Sequence, residues 1–406
     1  MAENKKANLH MMHAEDCVVS GNTDLTYNIM FNLYEFLQDK ACHPFNLTIK
    51  YDGAPAIFAW SKFPGLEKPG IAMKGLFNIN PVIYTKEADI KDLPEDLMYK
   101  LKNFLKHLPK IPANEIWQGD FLFDDKTVKF EQIENERKLI FHPNTIVYVV
   151  PKELETDILA AKVGVVWHTR YRGKSLKEAI ASYDFDEYTY KHKKCPEIFM
   201  IDAGVNGAKL GYFSESEQRI LDQRFNRALN LNNTFKSAEY KNLILNEDFI
   251  SYFKMYQNYI IKEKCSGLNV EEFMTFISHK FDKEVESRKS DKGKIAVIQK
   301  CNELLTLVKV SEHIIKLMMI QINNFTAIKE IFLLKLNEYT IFDTYLKYVQ
   351  GKFDTFEKMK NGEFRKTGQE GFALSDKDGN VIKLVDREEF SYANFSPNVL
   401  KGWSKM

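Results

Sequence analysis

Cysteine is scarce and scattered in this chain of 406 residues. The five present, Cys17, Cys42, Cys195, Cys265 and Cys301, are odd in number and form no Cys-x-x-Cys pair. That pattern argues against a disulfide framework and a structural zinc, and points to reduced thiols in a cytosolic compartment. Net charge is also small. With 57 Lys and Arg against 56 Asp and Glu, the formal charge is +1, so any affinity for nucleic acid must come from a local basic patch. No long apolar run is present: the greasiest segment, Ile314 to Ile322, is interrupted by Lys316 and Gln321 and is too short to span a bilayer. The N-terminal MAENKKANLHMMHAED is polar, with none of the apolar core of a secretory signal. These absences predict a soluble intracellular protein with no membrane partner. At 406 residues the chain is long enough for two domains of ordinary size, and a hydrophobic content of 44% with an aromatic content of 13% is that of a well-packed protein.

Proline is missing altogether between residues 214 and 360, where glycine occurs only at Gly267, Gly293 and Gly351. Apolar residues there recur at helical spacing, as at Ile298, Cys301, Leu304, Val308, Ile315 and Met318, which predicts a bundle of about five helices. One of them starts after an Asn cap at Asn269. The first 213 residues read differently. An amphipathic helix over 26–38 precedes short strands at LTIKY, GIAMKGLF, IWQGDFLF, KFEQIE, KLIFHP, TIVYVV, VGVVWHTRY and PEIFMIDAGV, with a helix at LPEDLMYKLKNFLKHL. Strand character returns after 360, where Asp378-Gly379-Asn380 reads as a hairpin turn. The chain therefore divides into residues 1–213 and 361–406, two parts of one α+β core, and 214–360, a large α-helical bundle inserted into it.

The stretch LTIKYDGAPAIFAW carries the chemistry. Alternation turns Leu47, Ile49 and Tyr51 to one face, and Thr48, Lys50 and Asp52 to the other, ahead of a Gly53-Ala54-Pro55 turn. Asp120 follows a glycine in the strand WQGDFLF, and Glu370-Gly371 opens a strand whose hairpin partner carries Lys383. An amine, two carboxylates and a second cation are what a nucleoside triphosphate site needs. A solvated hairpin end, with Glu370 and Lys383 as a cross-strand ion pair on an exposed ribbon, would use the same residues.

The order of these elements resembles the covalent nucleotidyltransferases: the ATP-dependent DNA and RNA ligases and the messenger-RNA capping guanylyltransferases. Their Lys-x-Asp-Gly motif matches Lys50, Asp52 and Gly53. Their third motif matches IWQGDFLF, with Asp120 where glutamate is usual. Their fourth, Glu-Gly followed by aliphatic residues, matches Glu370-Gly371-Phe372-Ala373. Their fifth, Lys-x-Lys, matches at Lys383, with Val385 in place of the second lysine. The wider pattern, from HAED to the C-terminal ANF, also resembles an uncharacterised group of large-bacteriophage proteins.

The resemblance implies an antiparallel-sheet nucleotidyltransferase core, like an ATP-grasp ligase, in the cytoplasm of an infected bacterial host. It implies an ATP-dependent RNA ligase more than a DNA ligase, because only 21 residues (406 − 385) follow Val385, too few for a C-terminal barrel. The inserted bundle would then dock the RNA. Lys50 would be the nucleophile that takes AMP, with Asp52, Gly53, Lys74, Asp120, Glu370 and Lys383 binding the nucleotide. Asp120 and Glu370 would hold Mg²⁺ or Mn²⁺, for which oxygen ligands are suited. Tyr148, Phe141 or Trp167 could stack on the base. A different acceptor, such as a protein, small molecule or cap, or a binding protein without turnover, fits the same motifs.

Other patterns read more plainly. RYRGKS at Arg170 to Ser175 has His168 where a phosphate-binding loop needs its first glycine, so it reads as a basic turn. His10, His13, Glu15 and Asp16 have a spacing that could bind a metal, but read more simply as a helix start with local polar contacts. GVNGAKLG reads as a connector, and residues 279–294 as a solvated face.

Overall fold

The computed structural model describes residues 11–38, 45–183, 195–205, 210–265, 267–348, 351–352, 358–359, 362–396 and 399–402. Along the chain, β1 (Met12–His13) and a turn of 3-10 helix (Ala14–Asp16) lead into α1 (Cys17–Ser20) and α2 (Thr23–Phe36). Then come β2 (Phe45–Lys50), β3 (Ala56–Trp60), β4 (Gly70–Ala72), α3 (Glu95–Lys106), β5 (Glu115–Asp124), β6 (Lys129–Ile133), β7 (Glu136–Phe141) and β8 (Ile146–Val149). A short α4 (Glu155–Ala160) precedes β9 (Val163–Arg172), β10 (Ile180–Ser182) and β11 (Ile198–Asp202).

Among the described residues six helices follow: α5 (Glu215–Thr234), α6 (Ala238–Leu245), α7 (Glu247–Glu263), α8 (Val270–Ser287), α9 (Asp291–Val310) and α10 (Glu312–Leu336). Five of them begin where a side-chain oxygen accepts from a free N–H of the first turn, at Ser214, Ser237, Asn246, Asn269 and Ser290. At Ser214 the Glu217 carboxylate accepts in return from the Ser214 N–H, closing a reciprocal cap. The helical run stops at Leu336, short of the 360 expected, because the β-branched and aromatic residues of DTYLK form strand β12 (Asp343–Lys347). The last strands are β13 (Phe364–Thr367), β14 (Gly371–Asp376) and β15 (Val381–Val385), before α11 (Tyr392–Phe395).

The fold is mixed α+β, and its sheets are mostly antiparallel. One sheet has the order β1-β15-β14-β2, with only the β1–β15 pairing parallel. A second runs β10-β9-β5-β3-β4, with β11 parallel to β9. A third runs β13-β12-β8-β7-β6. The chain after β11 joins the first two sheets. Ala203 N donates to Trp167 O in β9, while Ile49 N donates to Ala203 O and Val205 N to Leu47 O in β2.

Alternation in β2 buries Leu47, Ile49 and Tyr51 in a core shared with Phe372, Leu374, Ile382 and Leu384, with Ile29 and Leu33 of α2, and with Phe225, Ile328 and Phe332 of the helical run. The helices are thus continuous with the sheet through one hydrophobic core. Polar ties reinforce the seam. Tyr34 Oη donates to Asp222 at 2.8 Å, and Lys329 Nζ of α10 donates to Glu15 at 2.7 Å, with both of these charged side chains buried. By length and composition α10 could cross a membrane; here Ile315, Met318, Phe325, Ile328 and Phe332 lie in the core. A separate core packs α3, through Leu101 and Phe104, on Trp117, Phe121, Val165 and Trp167 of the second sheet.

Candidate functional site

The β2–β14 register sets Lys50 opposite Gly371, and the preceding residue, Glu370, forms an ion pair with the Lys50 ammonium. On β15, Lys383 lies opposite Ala373, and His13 of β1 lies opposite Lys383. Paired residues share a face of a pleated sheet, so Lys50, Lys383 and His13 look the same way. The hairpin at Asp378-Gly379-Asn380 forms as expected, with Gly379 at φ 78° and Asp376 accepting from the Asn380 N–H at 2.8 Å.

The electrostatics follow from crowding charges away from water. Burial pushes the Glu370 carboxyl up to about 7, against the pull of Lys50. Burial works on Lys50 in the opposite sense, but the adjacent Glu370, helped by Asp52 and Asp120, more than restores it and keeps its pKa raised. Lys383 is lowered, by burial first and by the Lys50 charge second. Burial together with Lys383, Arg387, Lys329 and Lys50 drives His13 down to about 2, so its imidazole is neutral. The spacing that could have bound a metal from the His13 segment is used otherwise: Glu15 meets Lys329, and Asp16 meets Arg387 at 2.9 Å. His10 lies outside the described residues. Arg387 donates onward to Asn258 of α7 at 2.8 Å.

Asp52 is committed to the backbone. Its carboxylate accepts from the Asn144 amide, Thr145 N and Ile146 N, the first and last at 2.8 and 2.9 Å, and its own N–H donates to Tyr148 Oη at 2.7 Å. Burial nonetheless raises its pKa, these hydrogen bonds opposing. It anchors the end of β2 to the β7–β8 turn. Gly53 is explained by close approach: a Cβ there would stand 2.6 Å from Asp120 Cβ and 3.0 Å from Phe121 O. The bare backbone lets the β2 exit cross directly over β5, where Ala54 N donates to Phe121 O. This crossing brings Asp120 to Lys50 and Glu370, whose protonation its charge influences.

A β-bulge completes the group. In the β5–β9 ladder Gln118 pairs with Thr169 and Gly119 with Trp167, leaving His168 as the extra residue. Such a bulge re-aims a side chain, and His168 Nε2 comes to 3.6 Å from Asp120 Oδ2. Gly119 has no room for a Cβ, which would be 2.1 Å from Val166 O. Sequence reasoning missed His168, Arg387 and the place of His13. The glycine before Asp120 was the only signal for the bulge.

The structure thus gathers Lys50, Asp52, Asp120, Glu370 and Lys383 around the β2 end. Lys74 lies exposed in the turn after β4, outside the Lys50–Glu370 ion pair. The aromatic residues offered as a base platform are enclosed instead. Phe141 and Tyr148 stack at 5.1 Å beneath Phe342, and Trp167 packs on Trp117 and Phe104, all three candidates fully buried. Arg172 in the basic turn is held by Glu115 at 2.7 Å. For a divalent cation, Asp120 and Glu370 fit: both offer carboxylate oxygens, and Glu370 Oε2 is buried with no hydrogen-bond partner. A surface cleft of about 900 Å³ lies between α7 and α8 and is lined by Asn258, Tyr259, Lys262, His279, Lys280 and Lys283 among others, none of them a member of this group.

The sequence pattern of a family described as a family of unknown function (DUF6267) matches residues 8–399, so the chain belongs to that family. No curated protein and no solved structure matches it.

Proposed function

We propose that this member of the DUF6267 family is a covalent nucleotidyltransferase of the RNA-ligase type, with ATP as its nucleotide and Lys50 as its nucleophile. The carrying observation is that Lys50 and Glu370, 320 residues apart (370 − 50), form an ion pair on a sheet that also presents Lys383. An exposed ribbon would leave these groups in water, whereas here they are largely buried and shift one another's protonation.

In the proposed first step the Lys50 Nζ lone pair attacks the α-phosphorus of ATP, an N–P bond forms and the bond to pyrophosphate breaks. Lys50 must first lose a proton, and the adjacent Glu370, poised near neutrality, is placed to accept it and pass it to water, leaving its carboxylate free for the cation. Lys383 would carry the charge of the α-phosphate oxygens as it develops. Asp120 and Glu370 would hold Mg²⁺ or Mn²⁺, which supplies charge neutralisation for the departing pyrophosphate. His168 would orient Asp120.

The AMP then passes to a 5′-phosphate, and attack by a 3′-hydroxyl releases it as the strands join. The wall of the α7–α8 cleft carries Tyr259, Lys262, Lys280 and Lys283 alongside Glu263 and Glu272; a single-stranded acceptor would meet the tyrosine by stacking and the lysines through its phosphates. Asn258 connects it to Arg387. Incubation with Mg²⁺ and ATP labelled at the α-phosphate should leave acid-labile label on the denatured chain, and Lys50→Ala should leave none. Labelling by GTP instead would turn the reading toward capping-type transfer.

A second reading is favoured by Val385, buried opposite Gly371 where a second lysine is usual. It makes the chain a nucleotide-binding protein without turnover. Tight ATP binding with no label would support it.

A further inference from the structure

Away from the Lys50 group, three unlike side chains converge where α3 ends. His107 caps the C-terminus of α3, and Cys195 and Glu197 lie in the turn that enters β11. Cys195 Sγ donates to Glu197 Oε2 at 3.1 Å, and His107 Nδ1 lies 3.9 Å from the same oxygen. The three donor atoms all fall within 4.8 Å of one another. We infer that His107, Cys195 and Glu197 form a zinc-class metal site that pins the end of α3 to the start of β11.

The argument is geometric and chemical. With zinc bonds of about 2.3 Å to sulfur and 2.0–2.1 Å to nitrogen or oxygen, tetrahedral ligand edges come to about 3.3–3.6 Å. The two edges to Glu197, 3.1 and 3.9 Å, bracket that range and the third is within 4.8 Å, so side-chain rotation can close the triangle. The donor set also selects the metal: thiolate and imidazole favour zinc and its neighbours and disfavour magnesium. Asp120 and Glu370 offer oxygen alone, so the two sites would not compete for one ion. All three ligands are half-buried, which leaves an entry path and room for a fourth ligand from water.

Without metal the contacts are individually weak. Burial and the Glu197 contact raise the Cys195 thiol, so metal binding must displace its proton, and affinity should grow with pH. The scattered cysteines, with no Cys-x-x-Cys, argued against a structural zinc. The fold assembles a mixed set from two distant segments, which no cysteine spacing could announce. The site is independent of the nucleotidyltransferase reading.

Cobalt(II) is the test, because a cysteine thiolate bound to it gives a charge-transfer band in the near ultraviolet and tetrahedral binding gives intense visible bands. The full chain, stripped with chelator, should take up one Co²⁺ with both signatures, and zinc should displace it. Cys195→Ser should abolish the charge-transfer band, while His107→Ala and Glu197→Gln should weaken binding at least about tenfold. Zinc should raise the melting temperature of the parent chain and leave that of Cys195→Ser unmoved. Circular dichroism of the metal-free variants checks that they are folded. No charge-transfer band in the parent, or an equal band in Cys195→Ser arising from another cysteine, would overturn the inference.

Discussion

Two lysine–glutamate pairs in this molecule have the same chemistry and opposite surroundings. Lys329–Glu15 joins α10 to the N-terminal segment with side chains only 3% and 4% exposed, whereas Lys50–Glu370 keeps 28% and 12%. The first pair is sealed and serves the seam between helices and sheet. The second sits at a strand end, beside Lys383, Asp120 and a neutral His13, with an oxygen of Glu370 left without a partner. An ion pair that only holds structure can be closed off from water. In the proposed transfer the second pair must exchange a proton and admit an anion, which its partial exposure permits.

That contrast can be broken by exchanging the fates of the two lysines. Lys50→Ala should eliminate nucleotide labelling completely, with only a modest loss of stability, because Glu370 can respond by taking up a proton. Lys329→Met should do the reverse. Stranding Glu15 in the core should cost about 3–5 kcal/mol in urea unfolding, while labelling per folded molecule persists.

The pH dependence sharpens it further. The Glu370 carboxyl, ordinarily near 4.5, is raised to about 7 in the folded chain. A raised folded value means the native state binds the proton more tightly than the unfolded chain does. Its contribution to stability is full below about 4.5 and is lost as pH rises through 7. Glu370→Gln should flatten that part of the melting-temperature profile. Because ionised Glu370 would accept the proton in the proposed step, the labelling rate should rise with pH around 7, and that inflection should vanish in the same variant.

Gly53→Ala should cost about 1–3 kcal/mol by driving a methyl into Asp120, and should slow labelling by displacing that carboxylate. His168→Ala should have the smallest effect, a less than tenfold fall in labelling with little change in melting temperature, since His168 acts through Asp120.

Much of the fold was legible because local rules governed it. Period-two alternation marked β2, β-rich runs bounded by Gly, Pro, Asn and Asp marked β5 and β9, a proline-free stretch marked α5 to α10, and Asp-Gly-Asn marked the β14–β15 turn. The extent of the helices was misread where strand β12 follows directly on α10, and aromatics in strands were offered for a base when they fill the core. In the candidate site, Lys50, Glu370 and Lys383 were found from motif order. His168 and Arg387 were not, because one depends on a bulge in a ladder and the other on a contact with Asp16 across 371 residues. Such long-range juxtapositions leave no periodic trace.

The pairing of β2 with β14 has a consequence during translation. As the chain leaves the ribosome, Lys50 emerges hundreds of residues before Glu370, Lys383 and the strand that sets their register. So late a pairing closes one of the longest loops in the chain, a slow step in folding. The nascent chain therefore carries Lys50 as an ordinary solvated amine, and the Lys50–Glu370 ion pair forms only once β14 has been made.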